Sequence, residues 1–591
     1  MTCRCRPPLT FTSPRRLPSP LTDRAQRMDT MKQASPPSPV LSGAVHYFRS
    51  LPEQWPNLMR SLKAMGLNTV ETYLAWNVHE PREGEWQRLD EITRFLDCAH
   101  AEGLRTIVRP GPYICAEWDN GGLPSWLTGR VGKHVRTRHP EFLDAVERYL
   151  DAVVPTFAEH PSLLMVQVEN EYGSFGSDAV YLGKLTRMLA ERGITVPLFT
   201  SDGWTDACLT AGMIPGIPAT VNFGSDAPAA FGALARYRPD DAPFCMEFWN
   251  GWFDHWGQQH VTRAADDAAE SLAEILDADG SVNLYMAHGG TNFGVGAGAN
   301  HHDHNGADEY RPTVTSYDYD SALDERGAPT PKFRAFRDVL AARGAEMGEL
   351  PELPPLMPDA TVPLTRTAEV VFDDRGAFAV APTFEELGID HGLVRYEVPV
   401  AGPREALPLE MIGLRDRAHV YVDDELLAIV DRDGDTSILP PVAGGSIVSV
   451  VIESMGRVNY GPRLGEHKGL TGLRQGLQWL NGYTVSTHAL PELRELTWSP
   501  NTGEPVAGMR YYQAEVQLTE QADGYLEVPG GAKGYVWFNE LCLGRYWNRG
   551  PQTRLYVPWP ATRVGANVVT VLELDGLTEA TVSLSGTPGL G

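Results

Sequence analysis

Residues 163–173 read LLMVQVENEYG: a short apolar run, then Glu169, Asn170 and Glu171, an aromatic and a glycine. A run of this length bounded by a turn residue predicts a buried strand whose polar end opens onto a loop. The same pattern recurs from residue 40 to 349. It predicts strands at Val40–Phe48, Thr69–Ala75, Arg105–Val108, Leu163–Glu169, Val196–Thr200, Ala219–Phe223, Pro243–Phe248 and Val282–Ala287. Stretches of helical period separate them, among them Glu53–Met65, Leu89–Glu102, Glu141–Phe157, Asp178–Arg192 and Arg263–Leu276. Eight such units fit a closed (β/α)8 TIM barrel better than an open doubly wound sheet. No GxGxxG follows the first strand, which argues against a dinucleotide site.

Working outward, LPELPPLMP at 350–358 is a stiff Pro-rich linker across which few contacts are expected. Beyond it the period is mostly two, as in LVRYEVPV and NVVTVLEL, which predicts antiparallel β-sandwiches. Ala418–Val430 aligns without gaps on Gly534–Tyr546, each reading strand, acidic turn, strand. That favours two related jelly-roll-like modules, at 359–490 and 491–591, behind a barrel at 40–349. Residues 1–39 are rich in Pro, Ser, Thr and Arg. They read as a disordered leader or as a start codon called too early, with Met28 or Met31 the true one, and they hold no apolar core of a signal peptide.

The 591 residues carry 50 basic and 76 acidic side chains, a net charge of −26, which disfavours nucleic acid. No apolar stretch is long enough for a membrane span. Seven cysteines without CxxC spacing predict free thiols in a reducing cytoplasm. The 58 Gly and 46 Pro predict many turns.

In a barrel of this type the loops after the strands build the site. Strand two ends near Tyr73, Trp76 and His79, strand three leads through Arg109 to Glu117 and Trp118, strand four ends at Glu171, and strand seven at Glu247, Trp249 and Trp252. A carboxylate embedded in apolar sequence needs a partner or a task. Aromatics beside carboxylates suit a sugar, whose C–H face packs on Trp or Tyr while its hydroxyls meet Asn, Glu and Tyr. Cleaving a glycosidic bond needs one protonated and one ionised carboxyl group. Glu171 and Glu247 are the natural pair. Glu169 competes, sharing a strand face with Glu171 but lying deeper.

VENEYG at 168–173, GPYICAEWDNGGLPSWL at 111–127, EFWNGWFDHWG at 247–257, NLYMAHGGTNFG at 283–294 and TSYDYDSALDERG at 315–327 resemble the retaining β-galactosidases of glycoside hydrolase family 35. GRVNYG at 456–461 and LGRYWNRGPQTRLYVP at 543–558 resemble the family's carboxy-terminal β-domains. The resemblance implies that Glu171 is the general acid/base and Glu247 the nucleophile. It also implies that Tyr73, Ala116, Glu117, Asn170, Tyr285 and Tyr319 line a galactose pocket, with no cofactor and no metal. The partner it implies is a small galactoside or oligosaccharide, and homodimer and homotrimer both stay open. Ser321–Ala322–Leu323 departs from the family's usual Ala-Pro-Leu after its Tyr-Asp motif. On this reading Glu171 is held protonated by the charge of Glu247.

Three rivals remain: a related exo-glycosidase such as an exo-β-glucosaminidase, a catalytically idle carbohydrate-binding protein, and a metal hydrolase built on NHHDHNGADEY at 300–310. The Asn and Gly content of that last segment predicts a solvated loop.

Overall fold

The computed structural model describes residues 39–304, 307–432, 436–503 and 506–591. The leader, up to residue 38, and residues 305–306 of the His-rich segment lie outside the described residues. Eight strands close into a parallel barrel in chain order: β1 (Leu41–Val45), β2 (Thr69–Tyr73), β3 (Arg105–Arg109), β4 (Leu163–Gln167), β5 (Leu198–Gly203), β6 (Ala219–Phe223), β7 (Phe244–Trp249) and β8 (Ser281–His288). Each falls within a few residues of a predicted strand. The five helices expected from periodicity form as well. Pro140–Val153 shows why: Pro at the first helical position lacks only an N–H that would be orphaned anyway, and Phe142, Val146, Tyr149 and Val153 recur on the buried face.

Inside the barrel one end is apolar, with Ile107, Leu164, Met165, Phe199, Phe244 and Met246 packed together. From mid-strand toward the carboxyl ends the interior turns polar, and Glu71, Arg109, Glu247 and Asn283 are all buried. This switch places the chemistry at the strand ends.

Two sandwiches follow. In the first, a six-stranded sheet from Asp373–Phe378 to Tyr483–Leu490 faces a four-stranded one containing Leu407–Ile412 and Thr436–Val442. The aligned segments are both antiparallel hairpins, Arg417–Val422 with Glu425–Asp431 and Lys533–Phe538 with Leu541–Trp547. Their registers slip at equivalent places, after Val420 and after Val536.

Three expectations are corrected. The segment at 300–310 is not a solvated loop: β9 (Ala299–His304) and β10 (Ala307–Pro312) pair antiparallel, and β9 also pairs with Val458–Tyr460 of the first sandwich. Backbone pairing on both edges outweighs the polar composition, and Asn300 and His301 are buried. The linker is not free of contacts either. Met357 is buried in the core of the second sandwich, and its N–H donates to the Asp523 carbonyl at 2.7 Å. Finally, β11 (Ala360–Pro363) and β12 (Arg366–Glu369), expected in the first sandwich, pair with Thr581–Ser585 and Arg510–Leu518 of the second.

The sandwiches share a core in which Leu393 and Val451 of the first meet Tyr511, Tyr535 and Trp537 of the second. Beside it Glu453, without exposure, is met by Lys533 and, at 3.4 Å, by Arg545, and accepts from the Tyr535 hydroxyl at 3.0 Å. Removing one member of such a buried set leaves an uncompensated charge, a cost of about 3–5 kcal/mol. Glu453→Gln is therefore expected to lower the calorimetric melting midpoint clearly while leaving kcat near wild type. An unchanged midpoint would show that the pairing does not couple the sandwiches.

Candidate active site

The turn after β4 separates the two glutamates of the opening stretch. The strand stops at Gln167, and Glu169 and Glu171 both take left-handed backbone angles, φ 60° and 45°. They therefore do not share a strand face as expected. Glu169 turns to Arg136, which donates to its two oxygens at 3.0 and 2.8 Å, and accepts from Tyr181 at 3.0 Å and from the Asn170 N–H at 2.6 Å. Its carboxylate is consumed structurally. Glu171 stands at the mouth, where Asn222 donates to it at 2.9 Å. Gly173 makes the turn feasible, since a Cβ there would sit 1.9 Å from the Cys208 carbonyl oxygen.

Glu247, on β7, is gripped by donors. Its Oε1 lies 2.9 Å from the Tyr73 hydroxyl and 2.6 Å from Arg109 Nη2, and its Oε2 accepts from the Trp249 indole at 3.1 Å. Asn170 Oδ1 meets the same hydroxyl and the same guanidinium at 2.9 and 2.6 Å. One Tyr and one Arg thus lock the ends of β4 and β7 together. Three donors thus converge on its two oxygens, which serve as acceptors.

Glu171 behaves oppositely. Burial, and after it the charge of Glu247, push its carboxyl from 4.5 up to about 8. The order of causes differs from the sequence expectation, which gave the neighbouring charge the leading part.

The remaining expected residues gather around this pair. Cys115, Ala116 and Glu117 are successive left-handed residues after β3, and Arg49 holds the Ala116 carbonyl. Such strain persists where surrounding contacts over-determine it. Glu117 accepts from the Tyr317 hydroxyl at 2.6 Å, and burial raises it to about 7 against that bond and the Arg49 charge. Tyr285 and Tyr319 meet edge to face, their ring centres 5.6 Å apart. The segment carrying Tyr317 and Tyr319 passes so close to β7 and β8 that only glycine fits opposite. A Cβ at Gly251 would lie 1.9 Å from the Tyr319 carbonyl oxygen, and one at Gly289 1.7 Å from that of Tyr317.

The structure adds Arg49, Arg109, Asn222 and Tyr317 to the set. Arg109 was visible at a strand end, and a lone cation in an apolar strand is the mirror of the carboxylate signal. Arg49 and Asn222 carried none. Of the tryptophans placed near a sugar by sequence, Trp76 is instead core, fully buried and stacked on Tyr149 at 4.5 Å, whereas Trp249 is half-buried and Trp252 exposed. Among the described residues, the cluster with metal-like spacing is Asp119, Asp390 and His391. Arg457 already faces it, 3.0 Å from Asp390 and 3.7 Å from Asp119, so a guanidinium supplies the positive charge there.

A carboxyl raised on folding binds protons in the folded state that the unfolded chain has lost. It therefore weakens the fold progressively between its ordinary value of 4.5 and about 8. Glu171→Gln removes that penalty, so its melting midpoint is expected to exceed wild type at pH 8 and to approach it toward pH 4.5. Glu169→Gln, which breaks the Arg136 pair, should melt below wild type at both. The opposite ranking would exchange the parts of the two residues.

The barrel segment, residues 33–343 and more than half of the chain, matches the model of glycosyl hydrolases family 35. Residues 382–488 match the first all-beta domain of beta-galactosidase, and 509–567 its galactose-binding domain. The chain is 38% identical to a beta-galactosidase of Xanthomonas manihotis, over 89% of this chain and 90% of that protein. It is 33% identical to the human beta-galactosidase, over 93% and 86%. Matches that run in the same order through barrel and sandwiches, at this identity and coverage, make the chain a member of glycosyl hydrolase family 35 and so a glycoside hydrolase.

Proposed function

We propose that the chain is a retaining exo-β-galactosidase that releases terminal non-reducing β-D-galactosyl residues by double displacement. The observation that carries this reading is the unequal treatment of two carboxyl groups in one pocket. Glu247 is held by Tyr73, Arg109 and Trp249 as an acceptor, while Glu171 is raised to about 8 and keeps its proton. The relatives named beta-galactosidase support the sugar.

In the first half-reaction a Glu247 oxygen bonds to the anomeric carbon as the bond to the aglycone oxygen breaks, and that oxygen takes the proton of Glu171. In the second, Glu171, now a base, removes a proton from water as the water attacks the same carbon and frees Glu247. Loss of the Glu247 charge in the ester removes one cause of the raised Glu171 value, which fits the change from acid to base. Glu117, Asn170 and the Ala116 backbone bind galactose hydroxyls, and Tyr73, Tyr285 and Tyr319 frame the ring. Trp249 and Trp252 offer faces on the open side. The five described cysteines are free, which supports the cytoplasm as its compartment.

Because protonated Glu171 is required, kcat/KM is expected to fall as pH rises through about 8. Glu171→Gln should slow 4-nitrophenyl β-galactoside by about 10²- to 10⁴-fold, and a dinitrophenyl galactoside, which leaves without a proton, far less. Treatment with 2,4-dinitrophenyl 2-deoxy-2-fluoro-β-D-galactoside should label Glu247 on peptide mapping. A label elsewhere overturns the assignment. Faster turnover of a β-glucosaminide than of a β-galactoside overturns the substrate.

A further inference from the structure

Beneath the pocket lies a buried carboxyl group that the mechanism above does not use. Glu71 sits on β2 two residues before Tyr73, on the same face and one layer deeper, with no exposure. It faces Arg109, also without exposure, and the closest approach between them is 3.8 Å, from Nη1 to Oε1. That is an ion pair without a direct hydrogen bond. Glu71 Oε1 and Arg109 Nε and Nη1 have no hydrogen-bond partner. On its other side, Glu71 Oε2 accepts from Asn283 at 3.3 Å, and Asn283 is itself fixed to the Met246 carbonyl at 3.0 Å. The carboxyl is thus oriented toward a guanidinium whose Nη2 is fully engaged above, by Glu247 and Asn170.

One guanidinium therefore lies between two carboxyl groups, and only one of these reacts. When Glu247 becomes an ester its charge disappears, and the nearest groups left to Arg109 on that side are the Tyr73 ring, 4.0 Å away, and the amide of Asn170. Glu171 becomes ionised in the same step. It is tied to Asn222, however, and Arg109 acts on it less than Glu247, Asn222 or Asp202 does. His46, close by, is held in its uncharged form by burial and by Arg49 and Arg109, and contributes no anion. A buried cation left without a counter-charge is costly.

We propose that Glu71 is the resident counter-charge of Arg109 in the glycosyl-enzyme, a positioning residue that stabilises the covalent intermediate without touching substrate. Its own ionisation is consistent with this. Burial lifts it to about 7, Arg109 opposes that, and the charge of Glu247 adds to it, so esterification favours the ionised form and any proton held goes to solvent. The inference rests on the retaining reading given above.

The test is Glu71→Gln, isosteric and neutral, at a site where burial already disfavours charge, so that the fold is kept. Two rate constants are read with the dinitrophenyl fluorogalactoside: formation of the trapped enzyme, and its reactivation by transglycosylation. Without the counter-charge, formation should slow by about tenfold or more while reactivation stays equal or quickens, lowering the ratio at least as much. Glu71→Asp keeps the charge and should return the ratio to within about threefold of wild type. Equal slowing of both steps, an unchanged ratio, or an Asp variant shifted as far as Gln overturns the proposal, because a merely structural role gives those results. If wild type takes no label at Glu247, the retaining reading itself falls, an outcome separate from a labelled wild type with an unshifted Gln variant.

Discussion

A guanidinium shut away from water is costly unless counter-charges or hydrogen-bond acceptors face it. Arg109 meets that condition at the point where four barrel strands converge. Its fork ties Asn170 after β4 to Glu247 on β7, and its plane lies under Tyr73 of β2. Glu71 and Glu247 together with the neighbouring tyrosines hold its charge against burial. The position of Glu247, the shared anchoring of the β4 turn and the polar layer of the barrel all follow from this one charge. Glu169 repeats the arrangement a few residues away, where Arg136 absorbs the carboxylate into the fold instead of leaving it for chemistry.

The barrel was legible because its signals are local. Alternating apolar runs and helical periods mark all eight strands, and the polar strand ends mark Tyr73, Glu117, Asn170, Glu171 and Glu247. What was hidden depends on distance in the chain. Nothing near Arg49 in sequence says that it stacks at 3.8 Å on Tyr317 and supports the Ala116 carbonyl. The relation of Glu169 to Glu171 was misread for a related reason: strand alternation was carried two residues beyond Gln167, into a turn whose angles undo it. Trp76 shows the converse, an aromatic at a strand end claimed by Tyr149 for the core.

Composition misled most at 300–310. Histidines, aspartates and a glycine suggest solvent, yet the backbone of this segment completes a three-stranded sheet with Val458–Tyr460. The barrel and the first sandwich are thereby continuous through main-chain hydrogen bonds, which are indifferent to side-chain type and invisible to hydropathy. The Tyr113 hydroxyl and the Asn459 carbonyl join across the same boundary, next to the strained loop that carries Glu117. The first sandwich thus braces one wall of the pocket.

The crossing of β11 and β12 into the second sandwich alters the genealogy of the chain. Arg366 is paired with Pro500, so the chain leaves the second sandwich at residue 369 and re-enters it within a short distance of the exit. Topologically the first sandwich is an insertion, a cassette whose two ends meet inside another domain's sheet. Such a piece can be gained or lost whole without rethreading its host. Here it also covers the edge of β9, so that strand, which follows the barrel, would be left open if the cassette departed.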